Sequence, residues 1–208
     1  MINILVVEDQ AILRDDLLCT FKDQNDMKVA GFTNDASKAL DLCHELKPDL
    51  ILMDVVTEND ANGIVYAAQI RKELPDIKIV IMTAYPDVTF ADEARKAGVH
   101  GYIYKKFEKE HLIYVIRNTM KDISVYLCPS DQPLFFNQLT EKELTIIRLI
   151  SMGKSRTEML TDLGISEASL KPIITSILNK TGFDTIMELV VYAVGKGLIV
   201  PISMDKKP

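Results

Sequence analysis

Residues 1–122 predict a doubly wound α/β domain with a five-stranded parallel sheet, and residues 139–208 predict an all-helical domain of four short helices. Three observations carry this division. Short apolar runs alternate five times with amphipathic stretches in the first part, which is the pattern of a parallel sheet covered by helices on both faces. After Leu139 this alternation stops. In its place come three copies of a helix-starting signature, each a Thr or Ser followed three residues later by Glu.

The strands are expected at about 2–7, 28–32, 49–54, 78–83 and 100–104. Their cores include Ile4-Leu5-Val6-Val7, Leu50-Ile51-Leu52-Met53, Ile79-Val80-Ile81-Met82 and Tyr102-Ile103-Tyr104. Helical periodicity predicts helices at about 11–23, 35–46, 62–74, 87–97 and 108–121. The last is marked by Leu112, Val115, Ile116, Met120 and Ile123 at helical spacing. Residues 123–138 break the alternation. Pro129, Ser130, Asp131, Gln132 and Pro133 read as a linker, although Leu134, Phe135 and Phe136 are apolar enough to pack against a domain.

In the second domain Thr140-Glu141-Lys142-Glu143, Ser155-Arg156-Thr157-Glu158 and Thr185-Ile186-Met187-Glu188 are capping boxes. Ser166 is placed to cap a further helix. Gly153, Gly182 and Gly197 stand where helices should stop. The helices are expected at about 141–152, 156–162, 167–180 and 186–196. The middle two are joined by a tight turn containing Gly164, which is helix-turn-helix spacing.

The chain has 208 residues, of which 48% are hydrophobic, so both domains can bury real cores. Its net charge of −6 is uneven: residues 1–136 carry 15 Lys and Arg against 22 Asp and Glu, while residues 137–208 carry 9 against 8. The acidic part is unsuited to non-specific nucleic-acid binding, and the second part lacks a strong electrostatic footprint. Cys19, Cys43 and Cys128 show no metal-ligand spacing and read as buried thiols in a reducing compartment. The chain enters a strand at once, with no charged and apolar leader, and holds no apolar stretch near the ~20 residues that span a bilayer. A soluble cytoplasmic protein is expected.

Glu8 and Asp9, Asp54, Thr83 and Lys105 all stand at the ends of apolar runs. Parallel strands place their C-terminal ends on one edge of a sheet, where open α/β folds bind ligands. Three carboxylates, a hydroxyl and an ammonium on that edge suit metal-dependent phosphoryl chemistry. Mg²⁺ takes oxygen ligands, an Asp can accept a phosphoryl group as an acyl phosphate, and Lys and Thr can hold its oxygens. Each group alone would read as a turn, a cap, a β-branched strand residue or a surface lysine. Their coincidence at successive strand ends favours a site.

Val6-Val7-Glu8-Asp9, Leu52-Met53-Asp54, Met82-Thr83-Ala84 and Gly101-Tyr102-Ile103-Tyr104-Lys105 resemble the receiver domain of two-component response regulators, over about residues 1–122. The resemblance implies a flavodoxin-like fold and Asp54 as acceptor of phosphoryl from a sensor histidine kinase. It implies Mg²⁺ held by Glu8, Asp9, Asp54 and the Val56 carbonyl. It further implies Thr83 and Ala84 at the phosphoryl group and Tyr102 as an aromatic that turns inward, repacking the surface of the fourth helix, fifth strand and fifth helix. A homodimer through that surface, or release of the helical domain, would follow phosphorylation.

Three departures stand out. The loop after Asp54, Val55 to Gly63, is one residue longer than is usual in the family and lacks its Pro, so a less rigid loop is expected. Lys106 follows Lys105 where many relatives have Pro. Val56 has no polar side chain to align a hydrolytic water, so slow loss of phosphate is expected. Hydrolytic enzymes that use an Asp nucleophile carry a second Asp two residues on, which Val56 replaces. Self-phosphorylation and self-dephosphorylation at Asp54 are the only chemistry expected.

Leu139-Thr140-Glu141-Lys142-Glu143, Gly153-Lys154-Ser155, Ile165-Ser166, Leu170-Lys171 and Lys180-Thr181-Gly182-Phe183 resemble the LuxR-type helix-turn-helix of the NarL/FixJ regulators. That resemblance implies that the helix after Ser166 enters the major groove of promoter DNA. Lys154, Arg156, Ser169, Lys171, Pro172 and Thr175 are the candidate contacts. Pro172 conflicts with a helix that starts at Ser166, because it lacks an N–H and clashes with the preceding turn. A start one turn later, capped by Ser169, would avoid this cost. Two readings stand: a DNA-binding regulator of unusual specificity, or a domain that keeps the fold but binds a protein partner.

Overall fold

The computed structural model describes residues 1–87, 89–106, 108–127 and 133–202, with the side chains of Leu134 and Asn137 excepted. Cys128 and the linker segment 129–132 lie outside them. The chain forms two compact units. The first comprises residues 1–84 and 90–127. The second comprises Tyr85–Thr89 together with, among the described residues, 133–202.

The first unit is built in the order β1 (Ile2–Val7), α1 (Ala11–Lys22), β2 (Met27–Thr33), α2 (Ala39–Leu46), β3 (Leu50–Asp54), β4 (Val56–Thr57), β5 (Ala61–Asn62), α3 (Gly63–Glu73), β6 (Lys78–Thr83), α4 (Phe90–Lys96), β7 (Gly101–Tyr104), α5 (Lys109–Thr119) and β8 (Val125–Leu127). The main sheet is parallel throughout and runs β2-β1-β3-β6-β7-β8. The central strands are buried on both faces, with Ile4, Leu5, Leu50, Ile51, Ile79 and Ile81 fully enclosed. This is why they read as unbroken apolar runs rather than alternating ones. Leu112, Val115 and Ile116 pin α5 to one face together with Leu17 and Phe21 of α1.

Three expectations about this unit are corrected. The sheet has six strands, because β8 lies in the stretch read as linker and pairs Tyr102 with Tyr126. At three residues it was too short to show a period. The fourth helix begins at Phe90 rather than near residue 87, because Asp87 turns its carboxylate back to accept from the Thr89 amide (2.8 Å) and hydroxyl (2.7 Å). Cys19 is exposed on α1, whereas Cys43 is buried and burial pushes its thiol up to about 12.

The helical unit holds α6 (Glu141–Ser151), α7 (Arg156–Leu163), α8 (Glu167–Thr181) and α9 (Ile186–Gly195). All three capping boxes form, with Thr140, Ser155 and Thr185 each accepting from the amide of the Glu three residues on. Ile146, Ile147, Leu170, Ile177, Leu189 and Ala193 make the core. Phe136 joins that core, and the Phe135 ring lies 6.0 Å from Phe183 and 6.2 Å from Tyr192. The apolar end of the supposed linker is therefore part of this unit.

The expected late start of the recognition helix is overturned. α8 begins at Glu167, with Ser166 at the N-cap and Pro172 inside the helix. The Ser169 and Leu170 amides both donate to the Ser166 carbonyl, at 3.0 and 3.3 Å. Ser166 offers its backbone rather than its side chain, and its hydroxyl pairs with that of Ser169 instead (3.0 Å). Glu167 sits at the positive end of the helix and pairs with Arg156 at 3.4 Å. One missing bond at Pro172 costs less than giving up this whole first turn.

An interior proline costs about 3 kcal/mol in a helix, less up to ~1 kcal/mol for the rigidity it lends the unfolded chain. Pro172→Ala is therefore expected to stabilise the helical unit by about 2 kcal/mol, read from its urea midpoint. An unchanged or lower midpoint would show that the proline is already relieved.

Candidate functional site

The parallel register brings four strand ends together. Val7 pairs with Met53, Asp54 with Met82, and Thr83 with Tyr104. Glu8 follows β1, Asp54 closes β3, Thr83 closes β6 and Lys105 follows β7. Oxygens of Glu8, Asp9 and Asp54 lie within 4.8 Å of one another. The Lys105 ammonium is 2.6 Å from Asp54 Oδ2 and 2.7 Å from Glu8 Oε2. Glu8, Asp54 and Thr83 are buried, and Asp9 is half-buried. Thr83 also fixes Lys105 through its carbonyl, which accepts from the Lys105 amide at 2.6 Å. Ala84 is exposed beside it.

This edge is electrically unbalanced, with one lysine serving three carboxylates. Burial pushes the Asp54 carboxyl up to about 7, with Lys105 pulling it down and Glu8 pushing it further up. The Lys105 amine is raised by Asp54 and Glu8, against the opposing effect of its burial. Asp54 Oδ1 is buried without a hydrogen-bond partner. An orphaned carboxylate oxygen beside two more acids is a site for a hard cation, which supplies the missing positive charge and takes oxygen ligands. The donor set fits a metal ion.

The loop after Asp54 is not slack. Its extra length is folded into a two-stranded antiparallel turn, with Val56 opposite Asn62 and Thr57 opposite Ala61. Asn59 and Asp60 take left-handed backbone angles at the tip (φ 61° and 54°). The buried Thr57 hydroxyl accepts from the Ala36 amide (3.0 Å) and donates to the Ala61 carbonyl (3.1 Å). Asp35 accepts from Ser37 and from Asn59 Nδ2 (3.0 Å). Gly63 is required where the turn meets α3, because a Cβ there would stand 1.9 Å from the Asp54 carbonyl. Asp35, Thr57 and Asn59 escaped the sequence reading, since polar residues in a loop carry no period.

Tyr102 is buried at 1% exposure and its ring stacks on Tyr126, 6.3 Å between centroids and 6° from parallel. Arg95 lies 4.5 Å over Tyr126, whose hydroxyl donates to the Val99 carbonyl (2.8 Å). The outer edge of β7 is thus taken by β8. Any dimer using the surface of α4, β7 and α5 must use side chains rather than strand pairing.

On the helical unit, Arg156, Lys171, Pro172 and Thr175 line one concave surface with Glu167, Ser176 and Lys180. Lys154 lies outside that lining and pairs with Asp162 at 3.4 Å. Ser169 is exposed on the first turn of α8. Arg156 pairs with Glu167, and Lys180 with Glu143 at 2.7 Å. Lys171 is exposed and has no ion pair among the described residues. The Thr175 hydroxyl donates back to the Lys171 carbonyl (3.1 Å).

Comparison with known proteins agrees with both halves. The family model for the response regulator receiver domain matches residues 4–117. The response regulator protein VraR of Staphylococcus saprophyticus is 30% identical over 207 residues, covering 95% of this chain and 99% of that protein. The VraR proteins of Staphylococcus aureus match to the same extent. The chain is a response regulator of the NarL/FixJ family. A LuxR-family two-component regulator from Aurantimonas sp. has a solved structure that is 26% identical, covering 62% of this chain and 91% of that one at a TM-score of 0.58. A structure of RcsB dimers bound to DNA shares the fold alone, at 17% identity, with 93% and 98% coverage and a TM-score of 0.64. No described helix of the regulator is long and apolar enough to cross a membrane.

In the regulator's helical unit, Glu143 does two jobs. It closes the α6 capping box and accepts from Ser176 (2.8 Å) and Lys180 of α8. Burial would raise its carboxyl, but hydrogen bonds from Lys180, Thr140 and Ser176 hold it down at about 2. A depressed folded pKa gives stability that is present above pH 4.5 and lost as pH falls towards 2. Glu143→Gln is expected to flatten the pH dependence of helical-unit unfolding in that window, read by circular dichroism. The same slope in both proteins would refute the assignment.

Proposed function

We propose that Asp54 accepts a phosphoryl group from a cognate sensor histidine kinase and that this event governs transcription through the helical unit. The observation that carries the reading is the pairing of Lys105 with both Asp54 and Glu8 beside an unpartnered Asp54 oxygen. In the transfer, an Asp54 oxygen attacks phosphorus, the bond from phosphorus to the kinase imidazole breaks, and the imidazole leaves with the electron pair. Lys105 then exchanges its hold on Asp54 for a phosphoryl oxygen, and Thr83 and the Ala84 backbone hold others. Glu8, Asp9, Asp54 and the Val56 carbonyl would hold Mg²⁺, which offsets the repulsion between an anionic donor and these acids. Tyr102 serves as the aromatic that reads the state of Thr83. The working compartment on this reading is the cytoplasm.

For output, Lys171 and Thr175 on the exposed face of α8 would meet promoter DNA, with Ser169 and Pro172 shaping the start of that face. Lys154 and Arg156 would reach phosphates from α7. Met187, Val191 and Val194 leave an apolar stripe exposed on α9, which suits a homodimer of the phosphorylated form. One observation favours a protein partner instead of DNA: Lys154, Arg156 and Lys180 are already paired with acids of their own unit.

A small acyl-phosphate donor with Mg²⁺ should label the protein, and Asp54→Asn should abolish the label. Val56→Asn should then shorten the lifetime of the phosphoryl group; an unchanged or longer lifetime would contradict the role given to Val56. In gel shifts with random-sequence duplexes, sequence-selective binding should be lost on Lys171→Ala. Absence of binding at low salt in every state would favour the protein-partner reading.

A further inference from the structure

Glu8 follows β1 and Asp54 closes β3, so the sheet itself holds these two acids. Val56 lies beyond the sheet, half-buried in the long loop after Asp54. The segment between β2 and α2 reaches both sides of this arrangement. Thr33 closes β2, and its carbonyl accepts from the Glu8 amide (2.9 Å). Its hydroxyl accepts from the Asp35 amide (3.2 Å). From there three separate bonds cross to the loop after Asp54. The Asn34 carbonyl accepts from the Glu58 amide (3.0 Å), the Ala36 amide donates to the Thr57 hydroxyl (3.0 Å), and Asp35 Oδ2 accepts from Asn59 Nδ2 (3.0 Å). Thr57 in turn donates to the Ala61 carbonyl (3.1 Å), across the β4–β5 turn. The other Asp35 oxygen is taken by the Ser37 amide (2.8 Å) and hydroxyl (2.6 Å). Asp35 and Thr57 are both buried, yet the transfer to Asp54 uses neither side chain.

We propose that Thr57, seconded by Asp35 and Asn59, is a positioning residue of the cation site, and that its brace makes the site prefer Mg²⁺ to the larger Ca²⁺. This rests on the reading of Glu8, Asp9, Asp54 and the Val56 carbonyl given above. One segment grips the backbone of Glu8 on one side and the neighbour of Val56 on the other, so it sets the spacing between the two. Mg²⁺ demands near-ideal octahedral oxygens at about 2.0–2.1 Å, whereas Ca²⁺ accepts a looser shell at about 2.3–2.6 Å. A donor on a loose loop adapts to either ion. A donor clamped through its neighbour does not.

Thr57 is the keystone because its hydroxyl is used twice. Without it, the Ala36 amide and the Ala61 carbonyl both lose a partner where Ala36 and Ala61 are buried. Leaving such groups unsatisfied is costly, so the turn would shift to find others, and Val56 would shift with it. Groups that orient metal ligands without touching the metal typically change its affinity about 10–100-fold when removed.

The test is a titration of the full-length, unphosphorylated protein with MgCl₂ and with CaCl₂ at constant ionic strength, followed by amide chemical shifts. Thr57→Val keeps the branched shape and removes the hydroxyl. It should lower Mg²⁺ affinity about tenfold or more and Ca²⁺ affinity by less. Thr57→Ser, which restores the hydroxyl, should restore both. Asn59→Gly keeps the left-handed backbone (φ 61°) and removes only the bond to Asp35, so it should move Mg²⁺ affinity in the same direction. Where Thr57→Val fails to fold, Asn59→Gly gives the readout. Wild-type Mg²⁺ affinity in these variants, or an equal loss for both ions, would overturn the role of the brace and leave the acceptor reading intact. Absence of Mg²⁺ binding by the wild-type chain would overturn both.

Discussion

Three carboxylates and one lysine share a single sheet edge, and the architecture of the first unit is arranged around that imbalance. A parallel sheet is the economical way to collect groups from Glu8 to Lys105, because every strand ends on the same side. The arrangement is costly while only Lys105 answers the acids: burial holds Asp54 near neutrality and one of its oxygens has no partner. The surroundings are correspondingly rigid. Fully enclosed strands, the Thr57 and Asp35 hydrogen bonds under the acceptor loop, and a glycine pressed against the Asp54 carbonyl keep the acids from moving apart.

The helical unit solves a different problem. It is small and nearly neutral, and its polar side chains bond one another more than they face outward. Glu143 ties α6 to α8, Glu167 ties α8 to α7, and Asp87 ties Arg148 to Val200. Of these pairs, Glu167–Arg156 lies on the first turn of α8 and Glu143 bonds its second half at Ser176 and Lys180. They also consume much of the positive charge that a DNA-binding surface uses, which leaves Lys171 as the exposed cation through which binding can be tested most sharply.

Much of this was legible in the chain. Apolar runs predicted five of the six strands of the main sheet, and capping boxes and glycines foresaw the helix ends of the second unit to within a residue, except that a start of α8 one turn later, at Ser169, had also been expected. Glu8, Asp54, Thr83 and Lys105 were found because each follows or closes such a run. The failures share a cause. β8 is too short for a period, the β4–β5 turn is polar, and Asp87 and Arg148 look like a loop acid and a helix-surface base until burial is known. At Pro172 the local rule weighed the interior proline but not the turn that would be lost by avoiding it.

Local chemistry in the sequence determined the strands, the caps, the family and the acidic edge, because those depend on residue type and short-range spacing. Only the tertiary structure decided which charges meet. That Lys105 is shared by Asp54 and Glu8, that the long loop is braced, and that Asp87 is claimed by Arg148 all depend on contacts between residues far apart in sequence. Burial makes such contacts strong, and nothing local announces burial for a charged side chain.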